Sequence, residues 1–113
     1  MKQQKIFKCP LTKYTIEYIV DTDKKNAYMG ILLTDFKELK PLFALIRSSI
    51  DELEQQGISK ITQTVSKNDW MLYLKDKTTW KLIKEDMGRY ECDIECDIKS
   101  FLENFGIGIG LLQ

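Results

Sequence analysis

One stretch near the carboxyl end constrains the fold of this chain more than any other. Between Tyr90 and Ile98, apolar and acidic residues alternate without exception. Successive side chains of a β-strand point to opposite faces, so the pattern predicts a strand over 89–98 with one buried and one solvated face. The buried face must be covered by other elements, which predicts a sheet with helices packed on it.

The rest of the chain contains further strand and helix patterns. Period-two alternation or short apolar runs predict strands over 5–9, 13–20, 27–33, 58–65 and 79–85. A short helix is predicted after Ser66, with Asp69 at its third position, and a last helix from 97 or 98 to Gly106. We see no internal repeat, low-complexity tract or linker.

The main helix is predicted over 41–56. Its apolar positions recur at helical spacing and form one stripe; they are Leu42, Leu45, Ile46, Ser49, Ile50 and Leu53. Pro41 is tolerated only in a first helical turn, so a separate turn is predicted over 35–39, with a capping box of Asp35 and Glu38. Gly57 is placed to end the helix in a left-handed conformation.

The predicted order is therefore β-β-β-α-β-α-β-β-α in a single α+β domain over 1–113. The helix between the third and fourth strands makes a crossover, so these two strands are expected to be parallel. The other strands are joined by short turns and are expected to be antiparallel. The fold class is thus a mixed, mainly antiparallel sheet.

Charge and composition narrow the possible partners and the compartment. The 17 basic and 17 acidic residues give a net charge of zero, which argues against nucleic acid as the main partner. No secretory signal opens the chain, and no apolar run approaches the roughly 20 residues of a membrane span. Three cysteines without a disulfide framework fit a reducing compartment, so we expect a cytoplasmic protein.

The residue inventory excludes several kinds of catalytic and metal site. The chain has no histidine, which removes Ser-His and Cys-His pairs and imidazole ligands. Cys92 and Cys96 would lie about 13 Å apart on a strand that rises ~3.3 Å per residue, too far to share one metal or a disulfide. With Cys9 as the remaining thiol, we expect two buried thiols, no metal site and no catalytic residue.

The acidic residues of the alternating stretch have two interpretations. Together they form a ladder on one strand face; they are Glu91, Asp93, Glu95 and Asp97. The ladder is either a surface for a cation or basic partner, or a solvated face balanced by Lys81 and Lys84 on the neighbouring strand. The second interpretation is favoured.

The last residues, 106–113, form an uncharged apolar tail. If the tail is extended, Ile107, Ile109 and Leu111 share one face, and Leu112 lies on the other. An exposed apolar tail would be a liability, so it is expected to be covered. It either packs on its own domain or docks on another chain, for example as an added strand, which makes these four residues candidates for partner binding.

At Asn68 the chain resembles the GCN5-related N-acetyltransferases (GNAT). In that family an Asn after the strand that follows the main helix is followed at set spacing by a small residue, a Tyr and an aromatic position. Here Asn68 stands in place, and Trp80, followed by Lys81-Leu82-Ile83-Lys84, occupies the aromatic position. The resemblance runs from about 13 to 98 and implies a truncated GNAT-like fold without the first strand and first two helices.

The chain also departs from that family's pattern. The family holds the pyrophosphate of acetyl-CoA on a glycine-containing loop, which corresponds here to 34–42, without glycine but with Asp35 and Glu38. The family's Tyr position falls on Lys75 and its Gly position on Thr79. Tyr73 could replace the Tyr, although its spacing favours a core role.

Because of these departures, we expect a non-catalytic protein-interaction or assembly module, such as a homodimer, on a GNAT-like scaffold, with no cofactor and no enzymatic activity. The alternative is an N-acetyltransferase that uses acetyl-CoA with a degenerate cofactor loop.

Overall fold

The structure, a computed structural model, describes residues 2–9, 14–33 and 39–112, except for the side chains of 31–33 and 109–112. The α+β class and the predicted order of elements are confirmed. The chain forms two compact units, Met1–Ser59 and Lys60–Gln113. The strands are β1 (Lys2–Lys8), β2 (Thr15–Asp21), β3 (Asn26–Leu33), β4 (Lys60–Ser66), β5 (Lys81–Asp86) and β6 (Glu91–Asp97), and the helices are α1 (Leu39–Gln55), α2 (Lys67–Asp69) and α3 (Ile98–Leu112).

In the first unit, β1, β2 and β3 form an antiparallel meander. The alternation along β2 places one face in the core, as predicted, since Ile16, Tyr18 and Val20 are fully buried. All six residues of the predicted stripe on α1 are buried as well. After α1, Gly57 has a φ of 86°, which confirms the left-handed helix end.

A polar contact joins a strand to the helix in the core of the first unit. The Tyr18 hydroxyl of β2 lies 2.9 Å from Ser49 Oγ of α1. Ser49 Oγ donates a hydrogen bond of 2.7 Å to the Ile46 carbonyl, so the Tyr18 hydroxyl is left to donate to Ser49. The ring of Phe7 packs edge-on against Tyr18 with centroids 5.7 Å apart.

In the second unit, β6 lies between β4 and β5 and pairs antiparallel with both. Cys92, Ile94 and Cys96 are buried, while the acidic residues between them are partly exposed, so the predicted alternation is confirmed over β6. The strand begins later than predicted. Tyr90 has a φ of 56° and is 48% exposed, because it belongs to the turn that joins β5 to β6.

The predicted end of the last helix at Gly106 is wrong, since α3 continues to Leu112. A glycine inside a helix costs only about 1 kcal/mol, and the helix can offset this by packing. Gly108 is buried, and a Cβ placed on it would lie 3.7 Å from Leu74 Cδ2, so α3 passes close to the chain at 74. Near its start, α3 packs Phe101 edge-on against Trp80, with centroids 5.9 Å apart.

The predicted turn over 35–39, with Asp35 and Glu38, lies almost entirely outside the residues that the structure describes. Among the helices of the described part, none is long and apolar enough to cross a bilayer.

Candidate functional site

The carboxyl end of β4 brings together an unusual set of side chains within the second unit. Lys67 is the first residue of α2, and its backbone N–H donates a hydrogen bond of 2.9 Å to the Tyr90 carbonyl. The ammonium group of Lys67 lies 3.4 Å from Met87 Sδ, 3.9 Å from Glu85 Oε2 and 5.6 Å from the centroid of the Tyr90 ring. We call Lys67, Glu85, Met87 and Tyr90 the Lys67 cluster.

The Lys67 cluster has a defined electrostatic character. The side chain of Lys67 is only 21% exposed. Its positive charge is stabilised by the Glu85 carboxylate and by the face of the Tyr90 ring. Beneath the cluster, burial raises the pKa of the Cys92 thiol, and Glu85 adds to this shift while Lys67 opposes it. The thiol is therefore kept neutral, and Cys92 is not an activated nucleophile.

The turn that follows β4 is wound more loosely than an α-helix. Ser66 Oγ accepts a 3.1 Å hydrogen bond from Asp69 N, which confirms the predicted cap. The next residues, Trp70–Leu74, form a π-helical turn, closed by a 2.8 Å hydrogen bond from Lys75 N to the Trp70 carbonyl. Such π turns occur frequently at functional sites.

This π turn divides its apolar residues between the core and the surface. Trp70 and Leu74 are buried, whereas Met71 is 47% and Leu72 65% exposed. Met87 of the Lys67 cluster is 59% exposed as well. The carboxyl end of β4 thus carries exposed apolar side chains together with a phenol and a clamped ammonium group.

The residues singled out by the family resemblance have different environments. Asn68 is exposed on α2, and Lys75 is exposed after the π turn. Tyr73 is half-buried, so its side chain is neither part of the buried core nor fully exposed to solvent. Trp80 is 6% exposed and packs on Phe101, so it supports the core.

Thr79 forms part of a small polar network with Asn104, which is 2% exposed. The Asn104 amide accepts a 3.0 Å hydrogen bond from Thr79 N and donates one of 2.8 Å to Thr79 Oγ1. Burial raises the pKa of the Cys96 thiol to about 12. A hydrogen bond between this thiol and Asn104 lowers the pKa of Cys96, but by less than burial raises it. Cys96 is therefore a neutral thiol.

A small polar cleft of about 280 Å³ lies at the other end of β4, where β4 begins and β6 ends. Its lining carries both signs of charge, and Lys60 Nζ lies 3.7 Å from Glu95 Oε1 within it. The lining residues are Lys60, Thr79, Lys81, Glu95, Cys96, Asp97 and Ser100.

The middle of the acidic ladder of β6 has basic neighbours, as the favoured interpretation predicts, whereas Glu91 at its start stands across from Asp86. Lys81 and Lys84 of β5 stand across from Glu95 and Asp93 in register. From the β4 side, Lys60 pairs with Glu95, and Thr64 Oγ1 donates a 2.7 Å hydrogen bond to Asp93. Within the described ranges, no group of three or more acidic or cysteine side chains could hold a metal ion.

The four tail residues predicted to bind a partner lie on α3. Ile107 is half-buried there, and the side chains of Ile109, Leu111 and Leu112 are outside the described part. The backbone of these residues is helical, so the shared face predicted for an extended tail does not apply to them. Docking of the tail on another chain stays a prediction.

Comparison with known proteins identifies the fold. The chain matches PaiA N-acetyltransferase from Thermoplasma acidophilum, solved in complex with coenzyme A, with a TM-score of 0.52 and 16% identity over 74% of this chain and 52% of that one. It also matches the F149A mutant of spermidine N-acetyltransferase SpeG from Vibrio cholerae, with a TM-score of 0.53 and 15% identity over 92% of this chain and 70% of that one. The chain has a GNAT-like fold.

The other comparisons give no further information on the GNAT-like chain. No family model matches it. No curated protein matches it either. The chain spans about half the length of the PaiA structure, so the match describes the shared scaffold.

The expectation that the chain is not an enzyme is contradicted. Both matched structures are N-acetyltransferases, which favours the alternative over the non-catalytic module. Sequence reasoning also missed the Lys67 cluster, because Lys67 is distant in the chain from the other three members and meets them only through the pairing of β4 with β6. The resemblance at Asn68 was the signal that pointed to this end of β4.

Proposed function

We propose that this chain is an N-acetyltransferase that moves an acetyl group from a coenzyme A thioester to an amine. One observation carries the proposal: the fold matches two N-acetyltransferases, one of them solved with coenzyme A. In such a transfer, the amine nitrogen replaces sulfur on the acetyl carbon, and the proton lost by the amine passes to the released thiolate or to solvent. The acetyl donor is already activated, so the reaction depends mainly on orientation and on proton transfer.

The proposal assigns this chemistry to the carboxyl end of β4. The exposed amide of Asn68 and the phenols of Tyr73 and Tyr90 can hydrogen-bond a substrate there. The two cysteines of β6 are excluded as acetyl carriers, because burial raises the pKa of both thiols. Direct transfer from donor to amine is therefore favoured over transfer through a cysteine.

The amine is proposed to be a small aliphatic amine, as the name of the second matched structure indicates for that enzyme. Spermidine is consequently the first acceptor to test, followed by single amino acids and peptide amino termini.

A thermal-shift titration with acetyl-CoA and free coenzyme A tests the proposal first. A ligand at about 100 times its dissociation constant adds roughly 2.7 kcal/mol to the free energy of unfolding, which raises the melting temperature of a domain of this size by several degrees. Release of free thiol from acetyl-CoA in the presence of each amine then measures turnover. No shift together with no amine-dependent thiol release would refute the proposal.

Variants locate the chemistry. Asn68→Ala and Tyr90→Phe should lower the rate of acetyl transfer and leave the melting temperature of the free protein nearly unchanged, since both side chains are exposed. Lys77→Ala, an equally exposed change beyond the π turn at a position with no assigned role, is the matched control and should retain the rate. If all three variants transfer acetyl groups at the rate of the unsubstituted protein, the chemistry lies elsewhere.

A further inference from the structure

The start of α1 is poorly suited to hold a phosphate group. The first N–H groups of a helix have no partner within the helix, and this is what lets a helix start bind anions. In α1 these residues are Leu39, Lys40, Pro41 and Leu42. Proline has no N–H, so Pro41 removes one of the donors from the first turn.

The backbone before α1 also lacks the residue type that allows close approach to phosphate. No glycine occurs between Gly30 and Gly57, so every residue from the end of β3 through α1 carries a Cβ. Backbone cradles for pyrophosphate rely on glycine, because a Cβ keeps the ligand away from the N–H groups.

The charges of this stretch give no compensating attraction. Residues 34–42 contain two acidic side chains, Asp35 and Glu38, and two basic ones, Lys37 and Lys40, so their formal charges cancel. The nucleotide half of coenzyme A carries several negative charges, and a binding site for it needs a positive excess. Lys40 is exposed in the first turn of α1 and is the one described cation there.

These residues do not fit the pyrophosphate of coenzyme A. We infer that the chain recognises its donor by the acyl-pantetheine arm and gains little from the nucleotide half. This inference rests on the proposed function and narrows its donor class to acyl thioesters of pantetheine, with or without an attached nucleotide.

Calorimetric titration of the full chain with three probes tests the inference. Acetyl-CoA and acetyl-pantetheine should bind with dissociation constants within about threefold of each other, and 3′,5′-ADP should show no binding. A hydrogen bond to a charged group contributes about 1.5–3 kcal/mol, or roughly 10- to 150-fold in affinity, so even one phosphate contact would exceed this limit. A preference for acetyl-CoA above about tenfold would overturn the inference.

Two variants of α1 separate a specific phosphate contact from general electrostatic attraction. Lys40→Ala and Arg47→Ala remove the same charge from exposed positions of one helix, the first near its start and the second further along. We expect both to leave the ratio of the two dissociation constants unchanged. A loss of acetyl-CoA affinity confined to Lys40→Ala would show that the start of α1 holds the nucleotide, against the inference.

The outcomes distinguish the two proposals. Binding of both thioesters with similar dissociation constants supports both proposals. Binding of acetyl-CoA without acetyl-pantetheine retains the acetyltransferase and overturns the donor inference. Binding of neither thioester refutes the acetyltransferase and the donor inference with it.

Discussion

Replacing Tyr18 by phenylalanine should make the free energy of unfolding less sensitive to alkaline pH. The Tyr18 ring is fully buried, and its hydroxyl lies 2.9 Å from Ser49 Oγ. Burial raises the pKa of Tyr18 from 10.0 to about 12, and the nearby Ser49 hydroxyl, which can turn to donate to the phenolate, opposes this with a smaller effect. The fold therefore prefers the neutral phenol.

The magnitude follows from this pKa difference. A raised pKa gives stability that is fully present below the unfolded pKa, near pH 10, and is lost as the pH rises through about 12. A difference of about two pKa units corresponds to roughly 2.7 kcal/mol. Below pH 10 the Tyr18→Phe variant should be less stable by about 1 kcal/mol, the net value of one hydrogen bond. The order of stability should reverse just below pH 11, because at pH 11 titration has cost the natural protein about 1.4 kcal/mol, more than the hydrogen bond contributes.

Urea unfolding followed by tryptophan fluorescence between pH 8 and pH 11.5 measures both proteins. Groups that titrate in both cancel in the difference. Ser49→Ala is the control, because it removes the hydrogen bond but keeps the buried phenol, so it should retain the alkaline loss. A difference between Tyr18→Phe and the natural protein that stays constant from pH 9 to pH 11.5 would refute the reasoning.

Substitutions at four further positions test local features by urea unfolding at neutral pH. Ser66→Ala should cost about 1 kcal/mol by removing the cap of α2, and Ser66→Asp should restore it; equal loss in both would deny the cap. Gly57→Ala should cost about 1 kcal/mol because its φ is 86°, whereas Gly108→Ala should stabilise α3 by about 0.5–1 kcal/mol, since a Cβ there meets Leu74 at 3.7 Å. A destabilising Gly108→Ala would argue against the extended α3. Asn104→Ala should cost about 2 kcal/mol by removing two hydrogen bonds to Thr79, and an unchanged stability would contradict that network.

Sequence patterns predicted the elements best where burial follows a local period. The alternation of β6 and the stripe of α1 both state which side chains are buried, and burial is what stabilises those elements. The end of α3 was misplaced because Gly106 is a good stop signal locally, while the packing of Gly108 is a tertiary effect. Tyr90 broke the alternation because the turn requires a left-handed residue there.

The site was predicted less completely than the fold. Spacing placed Asn68 at the carboxyl end of β4, but it could not show that Lys67 lies against Glu85 and Met87, because that contact depends on strand pairing. The expectation of no enzyme relied on the missing histidines, the missing glycine loop and the apolar tail. The absence of histidine excludes imidazole chemistry, whereas transfer from an activated thioester depends more on orientation than on a strong base.

The three cysteines differ in how accessible their thiols are to a modifying reagent. Because Cys92 and Cys96 are buried on β6, a disulfide reagent reaches them only when β6 opens, and their raised pKa values slow the reaction further. Cys9, just after β1, is half-buried and should be labelled sooner. The modification rates of Cys92 and Cys96 would therefore report the opening of β6, and the faster rate of Cys9 would serve as a reference in the first unit.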